Sequence, residues 1–225
     1  MSRNDDSDEI ENEETESLKV VLIGESGVGK TSIINQFAKG IFNQDIMSTN
    51  GATFTTNKKV FKQPDGSTKY ISFEMWDTAG QEKYRSLAKM FFKEASVALI
   101  VYDVTSLKSF DEIKNYWMNL VKEHAPKNII MYIIGNKSDL IEREAVKEVD
   151  AREYAKSEKV NFFLTSAKER SGIDELFNEI GNKYLNPEYM NSEENKERIL
   201  RKNEVARVNK ESLQENQNKK KGCCG

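Results

Sequence analysis

The sequence predicts an α/β fold with a six-stranded, mostly parallel sheet, one antiparallel strand, and helices on both faces. Three observations lead to this prediction. Apolar, β-rich runs alternate with helical patterns from Leu18 to Leu185. Two of these runs are apolar at nearly every position, which is typical of strands covered on both faces. A glycine-rich turn separates the first strand from the first helix, which fits a fold built from strand–helix–strand units.

The predicted elements follow one another in a regular order. The second and third strands are joined by Gln-Pro-Asp-Gly-Ser at positions 63–67, a turn sequence, so they should form the antiparallel hairpin. The other strands should run parallel, with right-handed crossovers. The predicted strands are Leu18–Ile23, Ala52–Phe61, Tyr70–Trp76, Val97–Val104, Ile129–Gly135 and Phe162–Thr165. The predicted helices are Lys30–Ala38, Ser109–His124, Asp150–Lys159 and Ile173–Tyr184.

The folded domain is predicted at residues 18–185, a length that suits one domain. Residues 1–17 hold eight acids and one base with almost no apolar content, so we expect a disordered acidic arm. The arm is expected to be a solubilising segment, with binding to a partner as the alternative. Residues 186–225 are rich in Asn, Glu and Lys and are predicted to form a flexible tail.

Composition excludes several classes of function. The 225 residues carry a net charge of −3, and the small basic excess left without the arm does not predict nucleic-acid binding. No apolar run approaches the roughly 20 residues of a membrane-spanning helix, and the first residues lack the apolar core of a secretory signal. The only cysteines, Cys223 and Cys224, cannot staple a core, so a reducing intracellular compartment is expected.

The segment Gly-Glu-Ser-Gly-Val-Gly-Lys-Thr at 24–31 matches the phosphate-loop pattern G-x-x-x-x-G-K-[ST]. Its backbone N–H groups can cradle phosphate oxygens, Lys30 adds a positive charge, and the Thr31 hydroxyl can bind Mg²⁺. The alternative is a plain glycine turn between strand and helix. The candidate nucleotide-binding residues here are Ser26, Gly27, Val28, Gly29, Lys30, Thr31 and Ser32.

Two later motifs point to recognition of a guanine base. Asn136-Lys137-Ser138-Asp139 follows the fifth predicted strand, and the Asp139 carboxylate can accept hydrogen bonds from N1–H and the N2 amino group of guanine. Adenine lacks that donor pair and would leave a desolvated carboxylate unpaired. Thr165-Ser166-Ala167-Lys168 stands at the end of the next strand, and Asn136, Lys137, Ser166, Ala167 and Lys168 complete the candidate base site.

A third motif, Trp76-Asp77-Thr78-Ala79-Gly80-Gln81-Glu82, lies between the phosphate loop and the base motifs. Asp77 ends an apolar strand and can hold Mg²⁺, through a water molecule in the simplest arrangement. The backbone N–H of Gly80 can approach the γ-phosphate, and Gln81 can orient an attacking water as the catalytic residue. The carboxylate, the glycine and the glutamine of this motif therefore suit hydrolysis as well as binding.

These motifs, in this order, resemble those of the Ras superfamily of small GTPases, over residues 18–185 and the extreme C-terminus. Several segments are similar to the Rab family: Ser-Thr-Asn-Gly-Ala-Thr-Phe at 48–54, Trp76 before the Asp-Thr-Ala-Gly-Gln-Glu motif, and residues 83–87, 91–93 and 100–105. The first of these is most similar to the early-endosomal Rab subgroup. Asn50, Ile46 and Glu94 depart from the usual Rab pattern, Glu94 standing where many Rabs have glycine.

The resemblance implies the fold of a P-loop NTPase small G domain and the function of a molecular switch. Such a protein binds GTP or GDP with Mg²⁺, hydrolyses GTP, and in its GTP form recruits effectors that direct vesicle and endosomal traffic. Thr49 would bind Mg²⁺ through its hydroxyl and the γ-phosphate through its N–H, and Phe42 would contact the guanine edge-on. Phe54, Trp76 and Phe91 would form the aromatic triad that effectors recognise. The alternatives are a polar turn residue for Thr49 and core aromatics for the others.

The last residues, Lys-Lys-Lys-Gly-Cys-Cys-Gly at 219–225, resemble Rab ends that receive two geranylgeranyl groups on Cys223 and Cys224. Two lipid chains give a stable anchor where one gives a marginal one, and the lysines favour an anionic membrane. The alternative is a pair of idle thiols or a metal site, for which zinc would need more ligands. The expected location is the cytoplasmic face of intracellular membranes, with endosomes favoured, in exchange with the cytosol.

The expected partners follow from the resemblance. They are a guanine nucleotide exchange factor, a GTPase-activating protein that supplies an arginine, Rab effectors, a prenyl transferase with its escort protein, and a GDP dissociation inhibitor; nucleic acid is not expected. Two other functions stay open at this point. A binding module without useful hydrolysis is disfavoured by Gln81 and Asp77, and an ATP-dependent enzyme is disfavoured by Asp139.

Overall fold

A six-stranded sheet forms the centre of the computed structural model, which describes residues 15–44, 49, 51–78 and 90–186. The strands are β1 (Thr15–Ile23), β2 (Ala52–Lys62), β3 (Thr68–Thr78), β4 (Val97–Asp103), β5 (Ile130–Asn136) and β6 (Asn161–Leu164). Their order across the sheet is β2-β3-β1-β4-β5-β6. Only β2 runs antiparallel to its neighbour, β3, and all the other pairs are parallel. The predicted fold class and the predicted hairpin are therefore confirmed.

The helices follow the strands in the predicted order, with shifted ends. They are α1 (Lys30–Lys39), α2 (Leu107–Glu112), α3 (Met118–His124), α4 (Glu148–Ser157) and α5 (Ile173–Leu185), with a short 3₁₀ helix at Ser138–Arg143. A π-helical stretch, Ile113–Trp117, joins α2 to α3 without leaving the right-handed helical region, so the single predicted helix has two α-helical halves. None of the described helices is both long and apolar enough to cross a bilayer.

The start of β1 corrects one prediction. The strand begins at Thr15, where Thr15, Glu16 and Ser17 pair with β3 opposite Tyr70, Ile71 and Ser72. These three residues therefore belong to the sheet and not to the disordered arm, since strand pairing compensates for their polar side chains. The rest of the arm, residues 1–14, and the tail from residue 187 lie outside the described residues.

The chain divides into two compact units between residues 178 and 179. This boundary lies inside α5, ahead of the predicted domain end at residue 185. The first unit, residues 1–178, holds the whole sheet. Of the second unit, the structure describes residues 179–186, where the Asn186 N–H donates to the Asn182 carbonyl at 2.9 Å.

Both faces of the sheet carry a buried helical layer. On one face the rings of Phe37 from α1 and Phe177 from α5 stack at 3.6 Å, and both meet the ring of Phe73 from β3 edge-on. On the other face Phe110 and Trp117 pack with Tyr102 of β4 in a second core cluster. The two edge-on contacts with Phe73 add to the burial of the rings. The two helical layers hold the sheet rigid, so the positions of the strand ends are well defined.

Glu94, which departs from the Rab pattern, sits in the turn before β4 with φ +59°, in the left-handed region. The Cβ of an L-residue is unfavourable there, whereas glycine adopts this conformation freely. Glu94 therefore retains backbone strain that glycine would relieve.

Replacing Glu94 with glycine should stabilise the folded chain by about 1 kcal/mol, because the left-handed conformation no longer meets a Cβ. Glu94→Ala is the matched control, since it removes the same exposed carboxylate and keeps the Cβ. Urea unfolding should show a gain for Glu94→Gly alone. Equal free energies of unfolding for the two variants would contradict this account of the strain.

Candidate nucleotide-binding site

A cavity of about 400 Å³ lies where the carboxyl ends of the parallel strands meet. In an open α/β sheet this edge is the usual place for a ligand site. Residues of the phosphate loop, α1, the end of β3, the end of β5 and the loop after β6 line it. They are Ser26, Gly27, Gly29, Lys30, Thr31, Ser32, Phe42, Asn43, Gln44, Thr49, Thr78, Asn136, Lys137, Asp139, Leu140, Arg143, Ala167 and Lys168.

Close backbone packing shapes the phosphate loop between β1 and α1. Gly24 has φ +138°, and a Cβ there would lie 2.1 Å from the carbonyl oxygen of Val101 in β4. Gly29 has φ +97°, and a Cβ there would lie 2.2 Å from Nδ2 of Asn136. Both positions require glycine, for backbone conformation and for space. A plain glycine turn between β1 and α1 would not need to approach β4 and β5 so closely.

Lys30 begins α1 and points its ammonium group back into the loop. Nζ donates to the carbonyl oxygens of Gly24 and Glu25, each at 2.8 Å, and the side chain is almost fully buried. Burial lowers the pKa of Lys30 to about 8, although the charges of Asp77 and Glu25 oppose the change. A phosphate group beside the ammonium would supply the negative charge that this buried cation lacks and would raise its pKa again.

Three oxygen atoms converge beside Lys30 from separate parts of the chain. Thr31 Oγ1 donates to Asp77 Oδ2 at 2.6 Å, Thr49 Oγ1 donates to the same atom at 3.2 Å, and the two hydroxyl oxygens lie 2.9 Å apart. These three atoms form an oxygen triangle with three close oxygen–oxygen contacts but only two hydroxyl protons. The triangle therefore carries too little positive charge to balance its oxygens. Burial also raises the pKa of the Asp77 carboxyl, against the hydrogen bond from Thr31 and the charge of Lys30.

The oxygen triangle fits Mg²⁺. This ion prefers oxygen ligands and binds through few protein groups together with waters and phosphates. Among the described residues no group of three or more His, Cys, Asp and Glu forms another metal site. Thr31, Thr49 and Asp77, the predicted metal ligands, are thus brought together, which favours the metal-ligand hypothesis for Thr49 over an ordinary turn residue.

The base end of the cavity is organised around Asn136 and Asp139. The Asn136 amide donates to the Val28 carbonyl at 2.8 Å, and its oxygen accepts from Thr165 Oγ1 at 3.2 Å and the Ala167 N–H at 3.3 Å. Ser166 Oγ donates to Asp139 Oδ1 at 2.6 Å, which orients that carboxylate. One carboxylate at the cavity wall, held by a hydroxyl, is the acceptor that the guanine hypothesis requires.

Phe42 lies at the cavity and is 37% exposed, so it is not a core aromatic. An aromatic side chain there can contact a bound base. Val28 and Ser166 do not line the cavity, but each is hydrogen-bonded to a residue that does, Asn136 and Asp139 respectively. Gly80 and Gln81 lie outside the described residues, as do Ile46 and Asn50. Their predicted roles stay predictions.

Sequence reasoning missed five cavity-lining residues: Asn43, Gln44, Thr78, Leu140 and Arg143. Asn43, Thr78 and Leu140 directly follow predicted residues, and Gln44 is one residue further along, so their proximity was the available signal. Arg143 ends the 3₁₀ helix that starts at Ser138, and no motif in the sequence points to it.

The predicted aromatic triad forms a contiguous cluster. The ring of Trp76 in β3 lies 5.1 Å from the ring of Phe54 in β2 and 5.7 Å from the ring of Phe91. Phe54 is 51% exposed, and Lys19 Nζ lies 5.1 Å from the Trp76 ring. Phe54 therefore presents apolar surface to solvent, which a purely structural role in the core would not do. The lipidation residues Cys223 and Cys224 lie outside the described residues.

Comparison with known proteins assigns the chain to a family. A model of the Ras family matches residues 19–186. Rab-22A of Homo sapiens is 43% identical over 163 residues, which cover 72% of this chain and 81% of that protein. The Ras-related protein RGP2 of Oryza sativa is 39% identical over 76% of each chain. The GTP-binding protein ypt3 of Schizosaccharomyces pombe is 39% identical over 71% of this chain and 72% of its own.

Gly24→Ala should destabilise the chain by about 3 kcal/mol or more and abolish tight nucleotide binding, because the added Cβ meets the Val101 carbonyl. Gly66→Ala is the matched control. Gly66 also has a positive φ, +84°, but nothing lies within 4 Å of an added Cβ, so only strain of about 1 kcal/mol is expected. Urea unfolding and GDP titration measure both effects. Equal losses in the two variants would show that close packing of the phosphate loop is unimportant.

Proposed function

This chain belongs to the Ras family of small GTPases and, within it, to the Rab proteins, and we propose that its switch regulates traffic at endosomal membranes. As a member of this family it binds GTP and GDP and hydrolyses GTP. The endosomal assignment rests on the similarity of residues 48–54 to the early-endosomal Rab subgroup.

The observation that carries the switch mechanism is the convergence of Thr31, Thr49 and Asp77 beside Lys30. These residues come from α1, the loop before β2 and the end of β3. These three residues would hold a bound Mg²⁺, which would supply positive charge beside the phosphates of the nucleotide. In the GTP form Thr49 would therefore be held at the phosphates, and loss of the γ-phosphate would release the loop that carries it.

The chain's own residues bind and orient the nucleotide in this proposal. The phosphate loop from Ser26 to Gly29 surrounds the phosphates with N–H groups, and Lys30 neutralises their charge. Asp139, held by Ser166, selects guanine, and Phe42 covers the base from the open side. Ala167 and Lys168 close the remaining wall of the base site.

Hydrolysis would depend on Gln81, which orients the attacking water, and on the backbone N–H of Gly80. The arginine that lines the described cavity, Arg143, ends the 3₁₀ helix that carries Asp139 and so belongs to the base end. We therefore assign the transition-state arginine to a GTPase-activating protein, a contribution typically worth about 10³–10⁵ in rate. The intrinsic reaction is expected to be slow.

Partner binding and membrane attachment complete the proposal. The exposed ring of Phe54, packed on Trp76 beside Phe91, supports an effector surface. Geranylgeranyl groups on Cys223 and Cys224, added by a prenyl transferase with an escort protein, would anchor the chain. An exchange factor would load GTP, and a GDP dissociation inhibitor would return the GDP form to the cytosol.

Gln81→Leu should reduce GTP hydrolysis, because leucine cannot orient the attacking water. Single-turnover assays with Mg²⁺ and an activating protein should show a loss of about 10²-fold or more, with GDP affinity unchanged. Gln63→Leu is the control, since this glutamine lies in the turn at the opposite end of β3. Hydrolysis at the wild-type rate in Gln81→Leu would refute the proposed role.

The double variant Cys223→Ser/Cys224→Ser should move the tagged chain from membrane puncta to the cytosol, because both lipid attachment sites are lost. Imaging beside a pulse of endocytosed tracer measures location, and each single variant serves as a control with one remaining site. Wild-type puncta that overlap early tracer support the endosomal assignment. Puncta elsewhere would overturn that assignment alone, and puncta that survive the double variant would overturn the lipid anchor.

A further inference from the structure

Lys137 has a backbone conformation that a lysine rarely adopts. It follows Asn136, the last residue of β5, and has φ +67°, in the left-handed region. Its side chain lines the cavity at the base end, beside Asp139. Since this conformation is unfavourable for a residue with a Cβ, surrounding contacts must hold it in place.

The contact that holds the side chain of Lys137 is an ion pair with Asp103. Lys137 Nζ lies 2.6 Å from Asp103 Oδ2, and the carboxylate is mostly buried. Asp103 is the last residue of β4 and pairs in register with Asn136 of β5. Asp103 does not line the cavity but Lys137 does, so a group outside the cavity fixes the end of a side chain that lines it.

Asp103 is itself fixed by neighbouring groups. Its second carboxylate oxygen, Oδ1, accepts from the Thr105 N–H at 2.8 Å and from Thr105 Oγ1 at 2.7 Å. Its own N–H donates to Ser109 Oγ at 3.1 Å. Both oxygens of the carboxylate are therefore engaged, and the orientation of Oδ2 toward Lys137 is set before a ligand binds.

We propose that Asp103 is a positioning residue for guanine-nucleotide binding: it holds the Lys137 ammonium so that the lysine stem forms one wall of the base site. Asp103 touches no nucleotide and acts only through Lys137. Preorganisation of this kind raises affinity because the long side chain is ordered before binding. The proposal rests on the proposed guanine site at Asp139.

The test is the dissociation rate of GDP from the full-length protein in wild type, Asp103→Asn, Lys137→Met and the double variant. Asparagine keeps the shape of Asp103 and its acceptor for Thr105 but loses the charge. A charge-assisted hydrogen bond is about twice as strong as a neutral one, so Asp103→Asn should release GDP about tenfold faster. In the Lys137→Met background the same change should have less than about twofold effect, because the interaction is already absent.

Two further variants separate positioning from folding. Asp111→Asn breaks an exposed ion pair between α2 and Lys114, three residues further along the same run of helix, and should leave GDP dissociation unchanged. Thr105→Val keeps the charge of Asp103 and removes one hydrogen bond to it, so GDP should dissociate about twofold to threefold faster. This variant tests the network even if Asp103→Asn does not fold.

Binding of inosine diphosphate, which lacks the N2 amino group, distinguishes this proposal from the proposed function. Wild type and Asp103→Asn should show the same preference for GDP over inosine diphosphate, because Asp139 is untouched. A wild-type chain without that preference would overturn the guanine site at Asp139, and the positioning role with it. A wild-type preference with GDP dissociation unchanged in Asp103→Asn, or accelerated equally in the Lys137→Met background, would overturn the role of Asp103 alone.

Discussion

The side-chain amide of Asn136 is the interaction on which the rest of the site depends. Its nitrogen binds the phosphate loop at Val28, and its oxygen binds Thr165 and Ala167 after β6. One buried group thus sets the distance between the parts of the chain that face phosphate and base. The approach is so close that Gly29 has no room for a Cβ. Because buried polar groups are costly when unpaired, any shift of one loop would be opposed by the others.

Two charged groups of the nucleotide site lie in unfavourable surroundings. Burial lowers the pKa of Lys30 and raises that of Asp77, so both groups are less stable as ions than in water. Burial of these two charged groups therefore lowers the free energy of unfolding, while it places them where phosphate and metal would bind. A ligand that binds only the folded chain returns this free energy, and nucleotide-loaded protein should be considerably more stable than empty protein.

Sequence reasoning predicted the sheet well because its strands are apolar runs, such as Val97–Val104, that contrast with the polar segments between them. It placed the start of β1 too late, because Thr15, Glu16 and Ser17 pair as a strand without apolar side chains. The π-helical stretch Ile113–Trp117 was also missed, since its hydrogen-bond spacing has no distinct residue pattern.

The sequence predicted the site residues that stand in a chemical motif. It did not predict the residues that reach the site only through packing. Thr31, Asp77 and Asp139 stand in recognisable patterns, and the structure brings each to the cavity or to the oxygen triangle beside Lys30. Asp103 is a single acid at the end of an apolar strand, and only the distance to Lys137 reveals its connection to the site. Arg143 likewise reaches the cavity through the turn of a 3₁₀ helix, which residue spacing alone does not indicate.

The position of β2 at the edge of the sheet has a consequence for contacts between copies of the chain. Within the described residues β2 pairs with β3 alone, so one row of its backbone groups remains available to a strand of another molecule. Lys58, Lys59 and Lys62 along this strand oppose such pairing, because two copies would bring like charges together. Copies of the chain can therefore come into close contact without joining their sheets into an aggregate.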